Sequence, residues 1–344
     1  MSLPAGVYAQ AVNRSTSPFA GVRGARLYAA PRRAVKARPT RALVVLVCLV
    51  VAPFMPPARG QVDVTDVDLT AASAGRAMRV GPSSGATGRI VRLPLEVYVA
   101  RVLAGEGEPN AADAARQSLA VAIRTYALAN MGRHGREGFD LCDGTHCQVP
   151  RASTAAARRA VLATAGRILT YDGRPAELFY SASCGGYSES AAQVWPGADY
   201  PYLQGAADDV HRDDPPWTLA LTLEQIERAL ERVGFQGRLR DVRVEERNRS
   251  GRAARLEVAG LVPGVIAGDQ FRAAIGPVTL RSTAFSIEKG GNLLRFTGRG
   301  FGHGVGMCVI GAGRRAARGE SMEAILAQYY PGLEVAPLGS VAVR

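Results

Sequence analysis

Four short stretches of the 344-residue chain hold side chains whose types and spacing could do chemistry. Glu106 stands between Gly105 and Gly107, two residues before Glu108, in a segment that reads as a turn leading to a helix N-terminus. Glycine neighbours let a backbone or a bulky ligand come close. A carboxyl stripped of water in such a cleft keeps its proton to a higher pH and can act as a general acid near neutrality. The rival reading is a solvated acidic loop favoured by the helix dipole. Cys142, His146 and Cys147 crowd three soft or borderline ligands into six residues, which suits one Zn²⁺. A disulfide from Cys142 or Cys147 to Cys184, or buried free thiols, would use the same residues differently.

The third stretch, Ser183 to Gly186, directly follows a strand-like segment. Its paired glycines, Gly185 and Gly186, permit close approach of a substrate or an unusual turn. Cys184 as a nucleophile would need a base, and none is local. The fourth stretch alternates glycines around His303, from Gly298 to Gly306. It has the look of a phosphate loop without the lysine one requires, because the two lysines of the chain are Lys36 and Lys289. The glycine spacing is weak support for a dinucleotide, with no acidic partner at the right distance. His303 could meet a sugar hydroxyl or acetamido group, bind a metal, or serve the core. No organic cofactor is implied.

These residues need elements to position them. Arg89–Tyr98 is apolar and β-branched around Pro94 and reads as a first strand after a linker, 61–85, of small polar residues. A helix is expected from Asn110 to about Met131, burying Leu119, Ile123 and Tyr126 on one face. A second runs near Thr154–Ala165, and Asp172-Gly173 marks a hairpin. Thr222 and Gln225 form a capping box that opens a middle lobe, bounded here as 205–275. The fold class is α+β: mixed helices and mostly antiparallel strands, with an α+β middle lobe forming one side of a cleft.

The formal charge of +12 invites a polyanion partner. Residues 1–60 carry nine basic and no acidic residues, which leaves +3 for the rest, so nucleic acid is not implied. In that segment a basic stretch precedes the apolar run 42–54 and a small-residue exit, the order of a secretory signal. Thirteen apolar residues are short for a membrane span. The expectation is export to the cell envelope, with residues 1–60 as a cleaved signal or a retained anchor.

Taken in order, Leu93–Val99, Gly105-Glu106, Ser118–Tyr126, Cys142–Val149, Ser183–Gly186, Tyr200–Leu203, Trp217 and Gly300–Met307 form a pattern that resembles the stage II sporulation protein D (SpoIID/LytB) family. The resemblance spans about 250 residues, 86–344 being the family-like domain. It implies a lytic transglycosylase acting on peptide-stripped peptidoglycan glycan strands, with Glu106 as the catalytic residue. Glycan contacts are expected from Arg124, Tyr126, Ser183, Gly185, Gly186, His303 and Gly304, and a Zn²⁺ held by Cys142, His146 and Cys147 would be structural and close to the site. Two departures stand out. The family's usual Glu-Met-Pro becomes Glu106, Gly107, Glu108, Pro109, so Glu108 competes for the match, and a cysteine stands at Cys184. Other relatives are amidase enhancers, so a non-catalytic glycan binder partnered with a cell-wall amidase is the first alternative. A zinc-dependent cell-wall hydrolase is the second.

Overall fold

The computed structural model describes residues 63–83, 88–211 and 214–341. The expected export segment, with Cys48 and the run 42–54, lies outside the described residues. Helix α1 (Asp66–Ala72) opens on a capping box between Thr65 and Asp68, and β1 (Ala77–Gly81) buries Met78 and Val80 in alternation. Both fall in the stretch 61–85 that reads as a linker; the alternation is the signal its small polar composition hides. Strand β2 (Val91–Pro94) pairs antiparallel with β1. The chain then turns straight into α2 (Leu95–Glu106), so the expected strand 89–98 ends at Pro94. The β-branched run after Pro94 is helical because α2 is enclosed on almost every side, and burial overrides local propensity.

Glu106 is therefore the last residue of a helix, not part of a turn before one. Helix α3 (Asp113–Ala129) packs against α2 and against α4 (Ala155–Ala163), which Thr154 caps through its side-chain oxygen. Strand β3 (Leu141–Cys142) runs parallel to β1. Strands β4 (Arg167–Tyr171) and β5 (Arg174–Pro175) form the hairpin expected at Asp172-Gly173, where both residues take positive φ. Strand β6 (Tyr180–Ser181) and the short α5 (Ala191–Val194) complete the first half of the body.

The middle lobe has a core of its own, from Ile226 to Phe296. It comprises β7 (Trp217–Thr222), α6 (Leu223–Glu231), β8 (Gln236–Arg247), β9 (Ala253–Val262), β10 (Val265–Ala267), α7 (Gly268–Ile275), β11 (Phe285–Gly290) and β12 (Leu293–Gly298). One three-stranded sheet has the order β10-β9-β8 and another β11-β12-β7. Strand β12 pairs with β7 from Leu293 opposite Thr222 to Gly298 opposite Trp217, so the lobe closes about twenty residues beyond the expected boundary at 275. The chain returns to the body through β13 (Met307–Cys308), parallel to β6. It ends with α8 (Val309–Ala317), α9 (Met322–Tyr329) and β14 (Glu334–Pro337), which lies on β4. The fold is thus α+β with mostly antiparallel pairing.

An ion pair joins three elements of the body. Arg124 of α3 donates from Nε and Nη2 to the Glu96 carboxylate at the start of α2, the closer Nη2 contact being 2.5 Å. Its Nη1 reaches the Arg167 carbonyl at the start of β4 at 2.9 Å, and Glu96 also accepts from the Gly166 amide at 3.0 Å. Both side chains are fully enclosed. Arg124 is therefore engaged within the body in this conformation, where it exposes no atom for the glycan contact expected of it. Glu96→Gln should lower the unfolding free energy in urea by about 3–5 kcal/mol, the usual effect of leaving a buried charge unpaired. The companion Glu96→Leu/Arg124→Met should recover a large part of it. An unchanged urea midpoint in Glu96→Gln would mean that Arg124 is not held by this pair.

Candidate active site and two cysteine–histidine clusters

The end of α2 comes against the chain at Val149 so closely that a Cβ on Gly105 would lie 1.9 Å from the Val149 carbonyl oxygen. The glycine beside Glu106 makes room for the protein's own backbone. This contact sets the next residue: Glu106 Oε1 accepts from the Val149 amide at 2.7 Å. Its other oxygen accepts from the Tyr180 hydroxyl, delivered by β6. Gln148 donates to the Tyr180 oxygen at 2.9 Å and accepts from the Tyr98 hydroxyl at 2.8 Å, so a buried polar chain orients the tyrosine. Tyr98, Gln148 and Tyr180 are functional neighbours that spacing alone did not show, since Tyr180 lies 74 residues from Glu106.

Only 1% of Glu106 is exposed. Burial lifts its pKa from the ordinary carboxylate value of 4.5 to about 7, against the pull of the Tyr180 and Val149 hydrogen bonds and the Arg151 charge. At neutral pH the group is divided between acid and carboxylate. Glu108, the rival in register, lies beyond the helix end near Gly313 of α8 and is half-buried.

The expected glycan contacts do not converge on Glu106. Tyr126 is buried, on a cavity with Asn130, Glu177 and Trp195. Ser183 pairs its backbone with Phe301, and Gly185 packs so tightly on Gly300 that a Cβ there would lie 2.8 Å from its nitrogen. Gly186 takes φ +106° in the same turn. A Cβ on Gly304 would meet the Arg252 guanidinium at 2.3 Å, so that glycine admits an arginine of the lobe and leaves no gap for a sugar. His303 and Glu106 lie on opposite sides of the Phe179-Tyr180 segment. Tyr180 reaches Glu106, while the Phe179 ring packs 6.2 Å from the His303 ring, as alternation along a strand dictates. His303 is partly exposed and lines a cavity of about 280 Å³ between body and lobe, together with Glu189, Trp195, Arg252, Asp269 and Arg272. Desolvation, then the charges of Arg272 and Arg252, push its pKa down to about 3, so the imidazole is neutral. Its Nδ1 accepts from the Val305 amide at 3.0 Å; its Nε2 and the Trp195 Nε1 are buried without a protein partner. The middle lobe does form one wall of a cavity, but Glu106 is not among the residues that line it.

Cys142, His146 and Cys147 are brought together as expected, and His134 completes the set. Cys147 Sγ lies 3.3 Å from His134 Nε2 and 3.5 Å from His146 Nδ1, the two ring nitrogens are 3.3 Å apart, and Cys142 Sγ is 3.8 Å from His146 Nδ1. These are edges of a tetrahedron about the size Zn²⁺ requires, since bonds of about 2.0–2.3 Å give edges of roughly 3.3–3.8 Å. Glu137 holds the other nitrogen of His134 at 2.8 Å, the carboxylate-to-histidine support typical of metal ligands. Four protein ligands close the site and leave no position for water, which suits a structural metal rather than a hydrolytic one. His134 lies outside the six-residue window that exposed the other three. A second cluster, Cys184, Asp208, His211 and Cys308, is buried at the root of the lobe.

The Glu106 environment has a signed consequence for stability. A carboxyl whose folded pKa is raised stabilises the fold fully below about pH 4.5 and loses that contribution as pH rises through about 7. The shift corresponds to about 3 kcal/mol. Between pH 5 and pH 8 the wild-type Tm should fall by more than that of Glu106→Gln, which does not titrate. Parallel melting curves across that range would refute the raised pKa.

Comparison with known proteins follows the same line. A family model described as Stage II sporulation protein matches residues 83–171, and a domain of unknown function matches 212–306, the middle lobe. The chain is 31% identical over 249 residues to an uncharacterized protein of Brachyspira hyodysenteriae, covering 71% of this chain and 67% of that one. It is 28% identical over 271 residues to Stage II sporulation protein D of Bacillus amyloliquefaciens, covering 73% and 76%. Against the Amidase enhancer of Bacillus subtilis it is 24% identical, covering 62% of this chain and 36% of the enhancer. The order of motifs, the α+β body and these relatives together mean that the chain belongs to the stage II sporulation protein D family.

Proposed function

We propose that this protein is an exported lytic transglycosylase that cleaves the bond between N-acetylmuramic acid and N-acetylglucosamine in peptide-stripped glycan strands. A role at the cell wall is supported by the family and by the relative named an amidase enhancer. The observation that carries the finer reading is the enclosed carboxyl of Glu106. It holds its proton to about pH 7 and is touched by a tyrosine hydroxyl and a backbone amide, with no second carboxylate bonded to it among the described residues.

One carboxyl is enough for this reaction. Glu106 gives its proton to the glycosidic oxygen as the C1–O bond breaks, and charge develops on the ring as in an oxocarbenium ion. The resulting carboxylate then takes the proton of the muramic C6 hydroxyl, whose oxygen bonds to C1. The product is a 1,6-anhydro end, no water is consumed, and Glu106 is again protonated. Tyr180 and the Val149 amide steady the carboxylate between the two transfers. The carboxyl is enclosed in this conformation, so binding of the strand must open its surroundings.

His134, Cys142, His146 and Cys147 would hold a structural Zn²⁺ in this reading. It supplies no chemistry at the sugar. Held so, the loop that ends at Cys147 would be pinned, and with it Gln148 and Val149, the next two residues, against Tyr180 and Glu106. Protein purified without added metal should lose one equivalent of zinc on Cys142→Ser/Cys147→Ser, with a lower Tm. An unchanged zinc content would remove the metal from the account.

A second reading draws on the same burial. A glycan-binding enhancer of a cell-wall amidase would not need Glu106 accessible. The cavity between body and lobe, with the Trp195 ring and three unpartnered polar atoms, Trp195 Nε1, Arg252 Nε and His303 Nε2, could seat a sugar without cutting it. Mass spectrometry of peptide-stripped strands after incubation separates the two. Anhydro-muramic ends should form, fall about tenfold per pH unit above pH 7, and drop by at least about 100-fold in Glu106→Gln. Intact strands with wild-type protein would leave the enhancer; reducing ends would indicate hydrolysis.

A further inference from the structure

The second cluster lies where the lobe leaves the body. Cys184 follows β6, and Asp208 and His211 sit in the turn that runs into the lobe. Cys308 is the N-cap of α8. All four side chains are buried, and each offers a ligand atom within 4.8 Å of the others. His211 Nε2 is 3.1 Å from Cys308 Sγ and 3.7 Å from Asp208 Oδ2, and Cys184 Sγ is 3.6 Å from the same carboxylate oxygen. A tetrahedral Zn²⁺ bound by two sulfurs, a nitrogen and an oxygen would set these edges at about 3.4–3.6 Å.

The surroundings have the features of a metal's outer shell. His211 Nδ1 meets the Asp214 carboxylate at 2.6 Å, which fixes the ring and leaves Nε2 turned toward the sulfurs. Arg314, 3.2 Å from that nitrogen, also holds Asp214 at 2.6 Å. The amides of Cys184 and Gly311 both point at Cys308 Sγ, at 3.3 and 3.2 Å, as donors do toward a thiolate. Two thiolates, one carboxylate and Zn²⁺ sum to a single negative charge, and Arg315 lies 2.9 Å from Asp208 Oδ1 to balance it. Tyr329 donates to Asp208 Oδ2 at 2.7 Å.

Two other uses of these residues fit less well. A Cys184–Cys308 disulfide would leave His211 Nε2 facing a neutral sulfur, a weak partner for a buried ring nitrogen, although Asp208 would keep Arg315 and Tyr329. A Cys308 nucleophile with His211 and Asp214 has the right order of groups, but its sulfur is fully enclosed, with no path for a substrate.

We propose that Cys184, Asp208, His211 and Cys308 form a structural Zn²⁺ site that fastens the root of the middle lobe to β6 and α8. Binding converts two thiols to thiolates and releases their two protons. This site is independent of the cluster beside Glu106.

The test is elemental analysis of the full chain, purified without added metal, with protein sulfur as the internal standard. Cys308→Ser and Cys184→Ser should each remove one equivalent of zinc, whatever Cys142→Ser/Cys147→Ser removes. The two losses should add, from two zinc per chain to none. Native mass spectrometry of the wild-type chain needs no variant and should show two zinc ions in place of four protons. Zinc content unchanged in both Cys184→Ser and Cys308→Ser would overturn the proposal. So would a Cys184–Cys308 disulfide found by peptide mapping under non-reducing conditions.

Discussion

No side-chain atom fits between the end of α2 and the main chain at Val149, and the arrangement around Glu106 follows from that contact. Gly105 lets the helix end and the loop backbone touch. The touch brings the Val149 amide to one carboxylate oxygen and leaves the other for Tyr180. Water is excluded as a result, and exclusion of water, more than any charged neighbour, determines how tightly the carboxyl holds its proton. The buried Glu96–Arg124 pair acts at the other end of the same helix, tying it to α3 and to the start of β4. Helix α2 is thus fixed at both ends by polar groups enclosed in an apolar body, which holds the Glu106 side chain in place without help from a ligand.

Much of this was legible in the residues, though not always for the reason first offered. The glycines around Glu106 and His303 marked close approach correctly. What approaches is the protein itself: the Val149 carbonyl at Gly105 and the Arg252 guanidinium at Gly304. Sequence shows that space is needed and not who occupies it. The hairpin at Asp172-Gly173 and the capping box at Thr222 were plain because their signals are local and chemical. Helix α2 was hidden because its β-branched residues are set by enclosure, a tertiary fact. Tyr180, His134 and His211 were missed for one reason. Each joins its site from far along the chain, or from outside the short window in which ligand spacing can be read.

The four described cysteines fall into two pairs, each joined by one or two of the chain's four histidines. In both clusters a histidine is held by a carboxylate three residues further on, Glu137 behind His134 and Asp214 behind His211. The two places differ in setting. One lies in the loop that supplies Val149, and the other at the junction of body and lobe. The four sulfurs are all enclosed in the hydrophobic core of the body, so each cluster sets polar ligand atoms inside apolar packing.

The lobe enters and leaves the body through one stem, since Trp217 and Gly298 are opposite one another in the β7–β12 pair. Mechanically it is a leaf on a two-stranded stalk. Its remaining ties to the body include Arg252, bonded to the carbonyls of Cys184 and Tyr187, and the Glu189 carboxylate, which takes hydrogen bonds from Asn248 and Ser250. A twist of the stalk would change the width of the cavity that holds His303 and leave both hydrophobic cores intact, so that gap can be adjusted without unfolding either part. The same geometry makes the lobe excisable: a short linker across the stalk would close the chain with the body's own core unbroken.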